Sequence, residues 1–262
     1  MTNNSPPATR LPEDRTAIVT GAASERGIGR AAAHRLASAG WAVAVIDLDE
    51  TKPSDIAAEI TRRYGSPARG YGLDVTDGRR SLEVVARICE DLPQLVGIVN
   101  NAGISSPTPF LEVTYEEWCR VIEVNLHGAF HLTQAAARVM AENRIGRIIN
   151  IASASAQRGG GVYGRAAYSA SKAALLGFTR TLARELGPYG ITSNAVSPGS
   201  IDTDIMGGRL SDDRIAELLR ELPVGRIGTV DDVAGVISFL LGQDGSYLTG
   251  VTYDVNGGSH IA

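Results

Sequence analysis

The chain has 262 residues, 44% of them apolar and 21% charged, with 25 basic against 29 acidic side chains and a formal charge of −4. That composition supplies one sizeable core and excludes global disorder. The acidic balance argues against nucleic acid as a partner, because a phosphate-backbone binder carries a basic face. The two cysteines, Cys89 and Cys119, are too few for a disulfide framework.

Residues 1–14 are polar, contain Pro6, Pro7 and Pro12, show no periodicity and read as a flexible tail. The start lacks the apolar segment of a secretory signal, and nowhere do about 18 apolar residues run together, so neither export nor a membrane span is expected. The expected location is the cytoplasm. Ala17-Ile18-Val19 is a short strand stopped by Thr20-Gly21. Ile28–Ala39 is Ala-rich and helical. Trp41–Ile46 is a second strand ending at Asp47, and Lys52–Tyr64 a helix with Ile56 and Ile60 on one face. Ala68–Leu73 is a weaker strand before Asp74. Gly78–Glu90 is helical through Leu82, Val85, Ala86 and Ile88 or Cys89. Leu95–Val99 is a strand that ends at Asn100-Asn101.

The second half keeps the rhythm. Thr114–Ala141 reads as one long helix, Arg147–Ile151 as a strand and Val162–Leu186 as a helix ending at Gly187-Pro188. Ile191–Val196 is a strand stopped by Pro198-Gly199. Ser211–Leu222 and Val230–Leu241 are helical, and Val251–Val255 is the last strand. Apolar strands alternating with amphipathic helices imply parallel strands with crossovers on both faces. With no linker and no solenoid repeat, residues 15–262 form a single α/β domain, a doubly wound (Rossmann) seven-stranded parallel sheet. Ligands of such sheets lie beyond the carboxyl ends of the strands.

Two constellations lie there. Gly21, Gly27 and Gly29 cluster after the first strand and open a helix, where backbone approaches a pyrophosphate closely and free N–H groups meet it. Asp47 follows the second strand, 18 residues past Gly29, close to the spacing of about 20 at which an acid meets the adenosine ribose 2′-OH. A carboxylate there repels a 2′-phosphate and favours NAD over NADP; Arg26 in the glycine turn is the counter-signal. The second constellation is Tyr168 and Lys172, four apart on one helix face. A phenol titrates near ~10, and a neighbouring ammonium lowers that value toward useful acid–base work.

With these pieces the chain resembles the short-chain dehydrogenase/reductase family from Thr16 to Gly258. Six stretches in the expected order carry the likeness: Thr20-Gly21 with Gly27-Ile28-Gly29, Asn100-Asn101-Ala102-Gly103, Asn125, Ser153, Tyr168–Lys172, and Pro198-Gly199 with Thr203. The resemblance implies Tyr168 as general acid/base. It implies that Lys172 tunes Tyr168 and holds the nicotinamide ribose. Ser153 would meet the substrate oxygen, and Asn125 would shape the long helix and order a water beside Lys172. Gly21, Arg26, Gly27, Ile28, Gly29, Asp47, Asn101, Ala102 and Gly103 would border the cofactor, with Asp74 and Val75 at its adenine edge. Pro198, Gly199, Ile201 and Thr203 would border the nicotinamide. The implied cofactor is NAD, with NADP the lesser alternative.

Two departures stand out. Five residues, Ala22 to Arg26, separate the first two glycines where the family pattern has three. Ser153 lies 15 residues before the tyrosine, whereas the more frequent spacing of 13 points to Ser155. The pleat after the Ile148–Ile151 run favours Ser153, with the added length in Gln157–Gly161 lining the substrate pocket. His127 and His131 have a zinc-like spacing but no acidic cluster, and read as helix-surface residues, so no metal is expected. Cys89 and Cys119 read as small packing residues. Ser200–Leu222, with Gly207-Gly208, reads as a substrate lid.

The expected function is hydride exchange between a nicotinamide cofactor and a secondary alcohol or ketone, with a polyol or sugar-like compound as first substrate choice. The alternative is an NADP-dependent 3-oxoacyl-thioester reductase. A non-catalytic nucleotide-sensing scaffold is the reading from a different class, opposed by the presence of Asn125, Ser153, Tyr168 and Lys172. The resemblance also implies a homo-oligomer, a tetramer before a dimer.

Overall fold

The computed structural model describes residues 10–49, 51–161, 164–206, 208 and 211–261. Seven parallel strands form one sheet in the order β3-β2-β1-β4-β5-β6-β7. They are β1 (Thr16–Thr20), β2 (Ala42–Asp47), β3 (Ala68–Gly72), β4 (Leu95–Asn100), β5 (Gly146–Ile151), β6 (Ile191–Pro198) and β7 (Thr252–Val255). The order reverses between β1 and β4, which opens a crevice at their carboxyl ends.

The helices are α1 (Ile28–Ser38), α2 (Thr51–Tyr64), α3 (Gly78–Asp91), α4 (Tyr115–Ile122), α5 (Gly128–Asn143), α6 (Ser155–Arg158), α7 (Ala166–Leu186), α8 (Asp212–Leu219) and α9 (Val230–Leu241). Strand alternation sorts them into two layers. Ala17, Val19, Val43 and Val45 pack in a core with Leu36 of α1, Ile60 of α2 and Ile237 of α9. Ile18, Ala44 and Ile46 face the other way, with Ile88 of α3 and Leu132 and Met140 of α5. Both faces of β1 are buried, which is why its sequence is continuously apolar rather than alternating.

Four details differ from the sequence reading. The expected Thr114–Ala141 helix is one helical path interrupted by a single π-helical turn, Glu123–His127, in which the Gly128 N–H bonds to the Glu123 carbonyl. The buried face of α3 is Ser81, Val84, Val85 and Ile88, so Leu82 and Cys89 are exposed. Ser81 can be buried because its hydroxyl donates to the Asp77 carbonyl at 2.9 Å. Cys89 is therefore not a packing residue, and Cys119 is only partly buried. The helix expected from Val162 begins at Ala166, and α6 stands apart from it, ended by left-handed Gly159 (φ 82°). Val162 and Tyr163 lie outside the described residues, as do residues 1–9 of the expected tail. Leu11, ahead of β1, packs on the core and its N–H bonds to Gln243 Oε1 at 3.0 Å.

Helix α2 rests directly on β3 at Gly70, where a Cβ would overlap the backbone of Pro53 and Ser54. Gly70→Ala should therefore push α2 off the sheet and cost about 1–3 kcal/mol. The measurement is thermal unfolding, with an expected drop of roughly 2–10 °C; an unchanged midpoint would show that this contact yields freely.

Candidate active site

The loops after β1, β2, β3, β4 and β6 enclose a cleft of about 430 Å³. Thr20 and Asn101 build its floor. The Thr20 hydroxyl accepts the N–H groups of Asn101 (3.0 Å) and Ala102 (2.9 Å), and Asn101 Nδ2 donates to the carbonyls of Thr20 and Gly21, both at 2.9 Å. Gly21 (φ 63°) must lack a side chain, because a Cβ would lie 2.7 Å from Ala102 Cα. Gly29 packs equally close, a Cβ there reaching to 2.6 Å from Asn101 Nδ2.

Three carboxylates line this cleft. Asp47 Oδ2 accepts the Ala23 N–H at 2.8 Å, which fixes the carboxylate against the glycine turn. Asp74 accepts the backbone N–H (3.0 Å) and hydroxyl (2.8 Å) of Thr76, and these bonds hold it below the usual carboxylate range. Asp204 accepts the Ser24 hydroxyl (2.7 Å) and the Arg26 N–H (3.3 Å), which lowers its pKa in the same way. Arg26 itself pairs with Asp202, and with Asp204 at 3.4 Å.

A second, smaller cleft of about 140 Å³ adjoins, between the segments after β5 and β6. Ser153 and Tyr168 line it. Burial pushes the phenol above its ordinary value, and the neighbouring Ser153 hydroxyl, which favours the phenolate, partly opposes the shift. The Ser153 Oγ also accepts the Ser155 N–H at 3.1 Å, so the hydroxyl on Tyr168 is that of Ser153, with Ser155 beside it. One turn on, Lys172 is 3% exposed and donates to the Ile151 carbonyl at 2.7 Å. Desolvation lowers its pKa to about 8. Its Nζ lies 5.7 Å from the Tyr168 ring centre. Burial therefore dominates at the phenol, while the ammonium expected to act on it bonds to the β5 carbonyl.

Asn125 sits in the π-helical turn. Its Oδ1 accepts the Ile104 N–H at 2.8 Å, and its Nδ2 donates to the Ile104 carbonyl (3.1 Å) and the Ser171 hydroxyl (3.0 Å). A Cβ on Gly103 would come within 3.1 Å of Asn125 Oδ1 and 3.3 Å of Lys172 Nζ. Asn125, Ser153, Tyr168 and Lys172 thus converge from three segments: the π-helical turn, the loop after β5, and α7.

The expected cofactor residues divide. Gly21, Gly27, Ile28, Asp47, Asp74, Val75, Asn101, Ala102, Gly103 and Thr203 line the larger cleft, while Tyr168, Pro198 and Gly199 line the smaller one. Arg26 is engaged by the segment after β6. Ile201 lies outside both clefts, buried and bridged to Gly228. Ser24, Arg120, Asp204 and Ile205 also line the larger cleft and were not read from the sequence; only their places after strands or on α4 hinted at it. In the expected lid, Gly208 is left-handed (φ 126°) and Gly207 lies outside the described residues. His127 is exposed beside Glu123, and His131 stacks edge-on against Phe130. Among the described residues no three His, Cys, Asp or Glu side chains gather to hold a metal ion, and no helix is long and apolar enough to cross a membrane.

The larger cleft fits a dinucleotide. It has a side-chain-free turn after β1, a fixed acid after β2, and backbone and hydroxyl donors that already hold one oxyanion, the Asp204 carboxylate. A proton-handling tyrosine beside such a cleft defines an oxidoreductase that works with a nicotinamide cofactor. Residues 21–260 match a family model described as enoyl-(acyl carrier protein) reductase. An uncharacterized short-chain type dehydrogenase/reductase of Sinorhizobium fredii is 38% identical over 251 residues, 96% of this chain and 99% of that protein. The 3-oxoacyl-(acyl-carrier-protein) reductase FabG of Escherichia coli is 40% identical over 250 residues, 95% of this chain and 98% of its own. A Sinorhizobium meliloti structure assigned as a short-chain alcohol dehydrogenase superposes with a TM-score of 0.87 at 35% identity, covering 97% of this chain and 98% of that one. The chain belongs to the short-chain dehydrogenase/reductase family, whose members are oxidoreductases of alcohol and ketone groups.

The Lys172 pKa carries a stability consequence. Its folded value of about 8 lies below the free value of 10.5, so between these pH values the unfolded chain binds more protons and wild-type stability rises with pH. Lys172→Met removes the buried charge. Its stability advantage over wild type should shrink by on the order of 2 kcal/mol as pH rises from about 8 to about 10. Paired denaturation curves at the two pH values measure this; a gap that stays constant would mean the ammonium is not desolvated.

Proposed function

We propose that this chain is an NAD-preferring dehydrogenase/reductase that interconverts a secondary alcohol and its ketone. The observation that carries the reading is the placing of Ser153 and Tyr168 together on the wall of the small cleft, with Lys172 buried one helical turn behind the tyrosine. A nicotinamide cofactor in the larger cleft would supply or accept the hydride. Gly21, Gly27, Ile28, Asn101, Ala102 and Gly103 would hold its phosphates and ribose, Asp74 and Val75 its adenine, and Thr203, Pro198 and Gly199 its nicotinamide end.

The chain's own residues handle the proton. Tyr168 donates to the substrate oxygen in reduction and accepts from it in oxidation. Ser153 donates a second hydrogen bond to that oxygen and fixes it opposite the phenol. Tyr168 must work against the upward push of burial on its phenol, and the Lys172 ammonium supplies the compensating charge once it leaves the Ile151 carbonyl or shares it with the ribose. Asn125, locked to Ile104 and Ser171, holds the α4–α5 turn against this pair.

The cofactor preference rests on two carboxylate contacts. Asp47 is pinned at the cleft wall after β2, where a 2′-phosphate would meet its charge. Arg26, the residue that could welcome that phosphate, is turned toward Asp202 and Asp204 on the segment after β6. The FabG likeness favours the second reading, an NADP-dependent 3-oxoacyl-thioester reductase, and the cofactor titration separates the two. The implied homo-oligomer has support in apolar side chains left exposed around α4 and α5: Phe110, Leu111, Tyr115 and Phe130.

Tyr168→Phe should cut turnover by about 10²–10⁴-fold while cofactor still binds. Cofactor fluorescence and absorbance at the NADH band measure the two quantities. Unchanged turnover would remove Tyr168 from the chemistry, and tighter binding of NADPH than NADH would reverse the cofactor assignment.

A further inference from the structure

The small cleft that holds Ser153 and Tyr168 has a charge pattern that the reaction does not require. Its only charged lining side chains, among the described residues, are two arginines, Arg158 and Arg214. They arrive from opposite directions: Arg158 closes α6 after β5, and Arg214 stands on α8 after β6. No Asp or Glu lines the cleft. We propose that this cleft selects substrates bearing an anionic group, a carboxylate or a phosphate, held by Arg158 and Arg214 while Ser153 and Tyr168 hold the reacting oxygen. This rests on the oxidoreductase reading of that cleft and names its substrate class.

The hydrogen-bond accounting supports it. A guanidinium has five N–H donors in a planar fork suited to carboxylate and phosphate. Arg158 uses one on the Ser259 carbonyl at 3.2 Å and one on Glu221 at 3.3 Å. Arg214 pairs with Glu217 through Nη1, while its Nε–H is buried without an acceptor. A cleft-lining guanidinium with donors to spare suits an anion that completes the site. Glu221 and Glu217 are 60% and 62% exposed, so they lie on the solvent side of the arginines. Such pairs are weak in water and yield readily to a ligand.

Neither arginine is needed to build the core. Helix α8 has no buried residue, and α6 has none. The pair therefore gives the cleft positive charge without a packing role. A neutral polyol offers the two guanidinium forks only neutral acceptors, whereas an anion adds charge-assisted bonds. The sequence expectation of a polyol or sugar-like substrate is narrowed accordingly to those that carry a negative group.

The test uses matched ketone pairs with NADH: acetoacetate against its methyl ester, and dihydroxyacetone phosphate against dihydroxyacetone. The first pair reports a carboxylate, the second a phosphate. Wild-type protein should favour the charged member of at least one pair by about tenfold or more in kcat/KM. Arg158→Gln and Arg214→Gln should each raise KM for that member by about tenfold, with kcat and the neutral member within about twofold. Arg158→Lys should recover part of the loss, because charge returns without the fork.

Calorimetric titration of acetoacetate and of dihydroxyacetone phosphate into the NADH-loaded protein gives a readout independent of turnover. Binding of either that weakens in the glutamine variants supports the anion cleft, even if no pair turns over, an outcome that would count against the oxidoreductase reading alone. Turnover of neutral and charged ketones at equal efficiency, equal losses for both in the variants, or no anion binding in wild type would overturn the inference and leave the oxidoreductase reading standing.

Discussion

A buried ammonium organises the carboxyl edge of this sheet. Lys172 is enclosed by protein, and its one hydrogen bond among the described residues goes to the last carbonyl of β5. Desolvating a charge is costly unless it is partnered, and the drop of its pKa to about 8 expresses that cost. Much local structure follows. Helix α7 is tied to β5, so Tyr168, one turn earlier, is carried to the wall of the small cleft. Gly103 must stay free of a side chain to clear both Nζ and Asn125. Asn125 in turn holds the loop after β4 by both edges of its amide. A methionine would fill the Lys172 site at lower electrostatic cost. Retaining a lysine there makes sense only if its charge acts on something that enters the cleft.

The edge is stiffened from below by a chain of buried amides and hydroxyls. Asn100 Nδ2 donates to Thr133 Oγ1 (2.7 Å) and Asn150 Oδ1 (2.8 Å), Asn150 donates to Thr179 Oγ1 (2.9 Å), and Thr179 donates to the Leu175 carbonyl. These bonds stitch β4, β5, α5 and α7 together one layer behind Lys172. Directional bonds between fixed side chains fix relative position more strictly than apolar contact does. A site whose parts come from three segments needs that kind of register, since small misplacements weaken catalysis steeply.

The strand and helix rhythm was legible because each element buries a continuous apolar face, and strands buried on both sides leave uninterrupted runs such as Ala17-Ile18-Val19. The glycine turn, Asp47 and the Tyr168–Lys172 pair were legible because each is local in sequence. Features that depend on non-local partners were not. The burial of Ser81 in place of Leu82 needs a hydroxyl satisfied by Asp77, which hydrophobic spacing does not register. The π-helical turn at Asn125 goes with bonds from that amide to the Ile104 backbone, 21 positions away. Arg26 looked like a free cation in sequence, and its pairing with Asp202 and Asp204 depends on a loop some 180 positions away. Arg158 and Arg214 are unremarkable surface residues by spacing; their shared cleft exists only once β5 and β6 lie side by side.

That non-local sorting of charge has a physical logic. The larger cleft is lined by Asp47, Asp74 and Asp204 against a single Arg120, so its side chains give it a negative balance. A dinucleotide pyrophosphate is itself negative, and on the proposed reading side-chain cations do not draw it in. The attraction must come from the backbone. Helix α1 starts at Gly27 with no side-chain cap and no acidic residue in its first turn, which leaves its first N–H groups and the positive end of its dipole for the ligand. Short-range backbone donors discriminate by shape and distance and are screened by salt less than exposed charges are. On the same proposed reading the carboxylates act as selectors, with Asp47 disfavouring a third phosphate. The small cleft works the opposite way, with guanidinium groups that attract and no acid that repels. On the proposed readings, then, one cleft receives its anion through backbone donors and the other through guanidinium groups.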